Sequence, residues 1–194
     1  MDSPADTRAG AAVEQRSDLA LARRAGLGDR DAFAEIFRRH GRGLYRYALR
    51  MLDGDASEAE DAVQDALAKA WTNIGTFRGD AELRTWLFRL TINEVTRRRT
   101  RRLPLAVDDQ LLEATPANHY GDPLQHVISQ GLNVALETAL TELPWRQRSI
   151  WLLREVEGLS YTEIAESLTT TATVVRGQLH RARRTLSIRL EQWR

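Results

Sequence analysis

Apolar residues recur at three- and four-residue intervals along most of this chain, and the recurrence breaks at a few definable points. Residues 17–26 and 29–52 read as two helices, the longer one carrying Phe33, Ile36, Phe37, Leu44 and Leu49 along one side. A further helix opens at Ser57, where Ser57 and Glu60 have the spacing of a capping box. Its stripe runs Ala59, Val63, Ala66, Leu67, Ala70, Trp71, Ile74. After a break over Gly75–Asp80, Leu83, Trp86, Leu87 and Leu90 mark a helix that ends in arginines near 101. Periodicity is lost over 103–122, where Pro104, Pro116, Asn118 and Gly121 gather. It returns at Pro123 through Leu124, Val127, Ile128, Leu132, Leu136 and Leu140. Pro144 interrupts it, and a segment over 144–156 turns Ile150, Trp151 and Leu153 inward. The pattern predicts an all-α chain of two small helical domains, 17–102 and 123–194. A flexible acidic linker over 103–122 joins them, and a disordered extension over 1–16 precedes them.

The end of the chain is the most specific part. Ser160 and Glu163 again have capping-box spacing and open a short helix with Ile164, Ala165 and Leu168 on its inner face. A Thr-rich turn of six residues follows. A second helix then repeats Val175, Leu179, Ala182 and Leu186 on one side. This is helix-turn-helix spacing, and Thr171 or Thr173 is available to cap the second helix. With the buried side fixed, Arg176, Gly177, Gln178, His180, Arg181 and Arg184 fall outward or toward the flanks. Early positions on such a helix reach base edges in the major groove, so Arg176 and Gln178 suit purines, and Arg181 and Arg184 suit phosphates.

The net charge of +1 hides a strongly uneven distribution. Arg84, Arg89, Arg97, Arg98, Arg99, Arg101 and Arg102 crowd one segment. From Leu103 to Trp145 there is no cation, while Asp108, Asp109, Glu113, Asp122, Glu137 and Glu142 supply acids. A second basic block follows Arg176. Two basic blocks around an acidic one fit two nucleic-acid contacts on one chain. The first block exceeds what a solvated helix end requires, so Arg97, Arg98 and Arg101 are candidate phosphate contacts. The chain has no cysteine, which excludes disulfides, thiolate metal sites and cysteine catalysis. His40, His119, His126 and His180 lack metal-ligand spacing, and no catalytic constellation or phosphate-binding Gly-rich loop is visible. No enzymatic activity, metal or cofactor is expected. The first sixteen residues do not read as a signal peptide and no run is long and apolar enough to span a bilayer, so a soluble, intracellular protein without membrane insertion is expected.

Upstream stand Asp61-Ala-Val-Gln-Asp-Ala-Leu-Ala-Lys-Ala-Trp71, Phe77-Arg-Gly-Asp80 and Leu83-Arg-Thr-Trp-Leu87. Together with the helix-turn-helix, and in this order, they resemble the small sigma factors of bacterial RNA polymerase, the extracytoplasmic-function group of the sigma-70 family. From pattern alone the polar face Asp61, Gln64, Asp65 is a solvated one. The resemblance implies instead that it docks core RNA polymerase at the β′ clamp helices, with the β subunit a further partner. It implies that the segment from Phe77 to Asn93 opens and holds the −10 element, with Phe77, Arg78, Asp80, Arg84, Arg89 and Asn93 as single-strand contacts. Aromatic faces and guanidinium planes replace lost base stacking there. Trp86 reads as core by its spacing, and Phe77 stays open between core and base stacking. The helix-turn-helix would read the −35 element of promoter DNA. The family run Leu-Gly-x-x-x-Gly-Thr-Val stands here as Leu168-Thr-Thr-Thr-Ala-Thr-Val-Val175, departing at Thr169, Thr173 and Val174, and Gly177-Gln178 replaces Ser-Arg. The resemblance also implies a linker threading toward the polymerase cleft, a cytoplasmic location (nucleoid-associated when polymerase-bound) and an anti-sigma protein as a partner class. The rival reading is a stand-alone helix-turn-helix regulator with an N-terminal sensor or dimerisation domain.

Overall fold

The computed structural model describes residues 17–102 and 127–191. The expected linker, the N-terminal extension, and His119, His126 and Leu124 lie outside them. Every described element is helical. The N-terminal half comprises α1 (Asp18–Gly26), α2 (Arg30–Met51), α3 (Ala56–Asn73), a 3-10 turn over Ile74–Thr76, and α4 (Leu83–Arg102). The C-terminal half comprises α5 (Val127–Thr141), α6 (Trp145–Trp151) running into a π-helical turn over Leu152–Val156, α7 (Tyr161–Ser167) and α8 (Ala172–Arg189).

Local chemistry accounts for the boundaries. Ser17 caps α1 and Asp29 caps α2, each accepting the backbone N–H three residues on. Asp55 caps α3 through Glu58 N–H at 3.0 Å, so the cap stands two residues before the expected Ser57. Ser57 already lies inside the first turn. At α7 the expected capping box forms in full. Glu163 N–H donates to Ser160 Oγ and Ser160 N–H donates to the Glu163 carboxylate. The turn into α8 is shorter than the spacing suggested, Leu168 to Thr171, and Thr171 is the cap, accepting from Val174 N–H.

The predicted stripes are the cores. In the N-terminal half Ile36, Leu44, Ala59, Val63, Ala66, Ala70, Ile74, Leu83 and Leu87 are buried. Phe33, Leu67 and Trp86 pack at the margin, while Phe37 and Trp71 keep exposed surface. In the C-terminal half Ile150, Leu153, Ile164, Ala165, Val175, Leu179, Ala182 and Leu186 are buried. The two halves do not stand apart. Helix α4 packs on α7, and α2 on α6. Tyr47 of α2, 1% exposed, shares a 2.8 Å hydrogen bond with the buried Ser149 of α6. Burial pushes the Tyr47 phenol well above its ordinary value, so it remains a neutral hydrogen-bonding group. Nothing in the hydrophobic periodicity announces this contact, because it is made by polar side chains and single aromatics rather than by a second stripe.

Thr169, at the end of α7, has φ of +50°. A β-branched residue is strained in this left-handed conformation, which glycine adopts freely. The turn needs it, because Thr170 N–H reaches back to the Ala165 carbonyl at 2.8 Å. Thr169→Gly is therefore expected to stabilise the chain by about 0.5–1 kcal/mol, the relieved strain exceeding the added chain entropy. Urea unfolding followed by circular dichroism checks this, and a lowered midpoint would contradict it.

Candidate nucleic-acid interface and docking face

Helix α8 is anchored along Val175, Leu179, Ala182 and Leu186, and this fixes what its other side presents. Arg176, His180, Arg181 and Arg184 are exposed, and Gly177 and Gln178 lie half-buried at the flank. Arg176 is oriented from below. Its guanidinium lies 5.9 Å from the Tyr161 ring centroid, and Arg154 stacks on the same ring at 4.8 Å. Neither Arg154 nor Tyr161 carries a sequence signal that separates it from ordinary core margin. A Cβ placed on Gly177 would meet only the Arg181 side chain at 3.6 Å, so no packing inside the chain requires glycine there. Arg183 pairs with Glu155 and is turned back onto its own domain.

On α3, Asp61 and Gln64 are exposed with open surroundings, whereas Asp65 is engaged. Arg97 and Arg98 of α4 donate to Asp65 Oδ2 at 3.0 and 2.9 Å. The Arg98 hydrogen bond holds the Asp65 carboxyl below the usual carboxylate range. Beneath them Glu94, 1% exposed, accepts from Lys69 and from Arg97. Burial works to raise the Glu94 carboxyl, but the Lys69 and Arg97 hydrogen bonds outweigh it and leave it lowered. The arginine run is thus divided. Arg98, only 11% exposed, is built into an α3–α4 ion-pair network with Asp65, Glu94 and Glu58. Arg97 shares that network with part of its surface free, and Arg101 is exposed. Seven arginines in one segment are read from sequence as one kind of surface, and the two acids that hold the inner pair lie on another face or helix.

The segment before and along α4 is mixed in the same way. Arg78, Asp80, Arg89 and Asn93 are exposed. Phe77 and Trp86 pack on each other with ring centroids 5.6 Å apart, both half-buried against the core. Arg84 lies over Phe88 and reaches Glu157 of the C-terminal half. Sequence reasoning missed the residues that join the halves. Arg148, with a side chain 6% exposed, donates to Asp53 at 2.6 Å and to the Arg50 carbonyl at 2.9 Å. Arg50 in turn pairs with Glu137. Thr85 donates to Glu163 at 2.9 Å, so the capping carboxylate of α7 also touches α4. Among the described residues no group of His, Asp or Glu is arranged to hold a metal ion, and no helix is long and apolar enough to cross a membrane.

Comparison with known proteins matches two family models, sigma-70 region 2 over residues 36–103 and sigma-70 region 4 over residues 133–186. The chain is 31% identical to the RNA polymerase sigma-H factor of Pseudomonas aeruginosa over 187 residues, covering 92% of this chain and 96% of that one. It is 30% identical to the ECF RNA polymerase sigma factor SigW of Bacillus subtilis, over 82% of this chain and 89% of the relative. Among solved structures it is similar to CnrH in complex with the cytosolic domain of CnrY, with a TM-score of 0.68 and 27% identity over 90% of this chain and 97% of the other. The sigma factor RpoE in complex with the anti-sigma factor NepR from Bartonella quintana matches with a TM-score of 0.64 at 25% identity, over 82% and 96%.

The α3–α4 ion-pair network sets a pH dependence. Asp65 and Glu94 have lowered values in the folded chain against ordinary values of 3.8 and 4.5. Their stabilisation is therefore complete above those ordinary values and is lost as pH falls through the folded ones. Arg98→Ala is expected to lower the melting temperature at neutral pH and to shrink the loss of stability between neutral and acid conditions. Thermal melts of both chains across that range measure it, and parallel curves would contradict the assignment.

Proposed function

The chain belongs to the sigma-70 family, in its extracytoplasmic-function group, and from that membership we propose how its surfaces divide the work of transcription initiation. It binds core RNA polymerase, recognises −10 and −35 promoter elements and helps melt the DNA between duplex and open complex. The observation that carries this reading is the basic outer face of α8, held rigid by a buried opposite face, on the same chain as a region 2 unit. The N-terminal unit, 17–102, takes the polymerase and the −10 element, and the unit from 123 onward takes the −35 element, with 103–122 as linker. The stand-alone regulator is not favoured, because the likeness runs through the N-terminal half as well. As a sigma factor the protein is an initiation factor rather than an enzyme, and it works in the cytoplasm, at the nucleoid when polymerase-bound.

Asp61 and Gln64 are the side chains of α3 free to meet the β′ clamp helices, and Asp65 contributes through the guanidiniums it orders. Arg78, Asp80, Arg89 and Asn93 face solvent where a melted strand would pass, with Arg84 at the end of that row and Phe77 and Trp86 beneath it. Arg101 and the free edge of Arg97 meet duplex phosphates, while Arg98 holds α4 against α3. Arg176 and Gln178 reach base edges, with His180, Arg181 and Arg184 along the backbone. Gly177 lets the helix backbone approach the DNA. An anti-sigma protein, as in the RpoE–NepR complex above, is the partner class that would hold the chain inactive.

Run-off transcription with core polymerase on a promoter library tests the reading as a whole, and an absence of any promoter-specific transcript would refute it. Asp61→Arg should abolish co-purification with core polymerase without changing the melting temperature. Arg176→Ala or Gln178→Ala should shift −35 preference, each lost base contact removing about 1–3 kcal/mol of discrimination. Neither should impair transcription from templates already melted around −10. Arg78→Ala or Asp80→Ala should do the reverse, leaving −35 preference alone and reducing open-complex formation on duplex templates. Gly177→Ala should raise helix stability by about 1 kcal/mol yet weaken promoter binding. Matched duplex and pre-melted templates separate these outcomes, and Arg176→Ala failing equally on both would break the division of labour.

A further inference from the structure

Arg46 of α2 and Arg84 of α4 converge on one carboxylate, Glu157, supplied by the other half of the chain. Arg46 donates from Nε and Nη2 to the two carboxylate oxygens at 2.8 and 2.9 Å, a forked pairing. Arg84 donates from Nη2 to the Glu157 backbone carbonyl and lies 3.3 Å from Oε2. The Glu157 side chain is 1% exposed, while the two arginine side chains keep 37% and 38%. Phe88 floors the cradle under Arg84. Gly43 sets its depth, since a Cβ there would stand 2.8 Å from Glu157 Oε2. The contact thus uses a bare backbone position, two cations and a ring to seat a single anion.

Two guanidiniums closing on a planar pair of anionic oxygens fit two oxygens of a phosphodiester equally well. Arg84 adjoins the row Arg78 to Asn93, and its neighbour Thr85 is buried under Glu163. The C-terminal half therefore sits on the start of α4, while Asp61 and Gln64 on α3 stay exposed. We infer that Arg46 and Arg84 form a phosphate-binding site for single-stranded nucleic acid, and that Glu157 fills it as an internal stand-in. The free chain is closed and shielded from the melted strand until its halves part. This deepens the reading of α4 as the strand-holding element and rests on it. Closure lowers the apparent affinity for a strand by the open fraction, so a chain open about one part in ten binds tenfold more weakly than a fully open one. The exposed α3 face lets polymerase engage first, before the halves separate.

The chain has no native cysteine, so paired labels can be placed at Glu60→Cys and Ile188→Cys on the full-length protein. Pulsed electron resonance then reads the distance between halves, and anisotropy reads the affinity for a labelled mixed-sequence single strand. Wild type should give one short, narrow distance. Glu157→Gln, and independently Gly43→Leu, which adds no charge and favours helix, should lengthen and broaden it and raise strand affinity by about tenfold. In the Gly43→Leu background, Arg46→Ala and Arg84→Ala should each lower that affinity and reduce its salt slope by about one phosphate. Unchanged distances in both opening variants would overturn the latch. Opening without a gain in affinity, or a gain indifferent to Arg46 and Arg84, would overturn the shared site. Failure of the sigma reading itself shows separately, as absent run-off transcription by the wild-type chain with core polymerase.

Discussion

A carboxylate taken out of water must be answered by cations, and two such carboxylates organise this molecule. Glu94 and Glu157 have side chains only 1% exposed; Glu94 is met by Lys69, Arg97 and Arg98, and Glu157 by Arg46 and Arg84. Removing one partner from such a group leaves a buried charge uncompensated, at a cost of about 3–5 kcal/mol. Glu94 finds its cations on α3 and α4, and so fixes the angle at which those helices present Asp61 and Gln64. Glu157 finds its cations across the chain, and so fixes where the C-terminal half lies. The hydrophobic stripes decide that helices form and which side is inward. The buried acids decide how the helices and halves are registered against one another.

The fold class was fully legible from periodicity. Nine of the ten stripe positions compared in α3 and α8 lie in or against the core, because a 3.6-residue period with a turn signal at each end leaves little choice of face. The capping box at Ser160 was legible because both of its side chains are local. The expected start of α3 falls late because Ser57 and Glu60 have capping-box spacing, whereas the cap that forms is Asp55. Long-range ion pairs were not legible at all. Arg46 and Glu157 are separated by 111 positions, and neither differs in type or spacing from a solvated surface residue. The same blindness made Arg98 look like Arg101. One is held among three acids and the other faces solvent, and only the approach of α3 tells them apart.

The candidate site divides along the same line. Residues whose orientation follows from a buried stripe on their own helix, such as Arg176 and Arg181, stand where the pattern put them. Residues whose surroundings come from elsewhere, such as Arg84 and Asp65, carry partners that no local reading supplies. A basic surface is therefore a mixture of free cations, available to anions from outside, and cations already committed within the chain. Net charge and clustering do not distinguish the two populations.

The Tyr161 ring, with Arg154 on it and Arg176 beside it, has a kinetic meaning. An arginine free in water surrenders many rotamers when it docks on a base, a loss of about 0.5–1.5 kcal/mol for such a side chain. Stacking on an aromatic face restricts Arg176 before any duplex arrives, so part of that loss is met during folding rather than at recognition. On the proposed reading of α8 as the −35 contact, residence time on a correct site would lengthen accordingly, while a wrong base would still meet a guanidinium that cannot easily swing away.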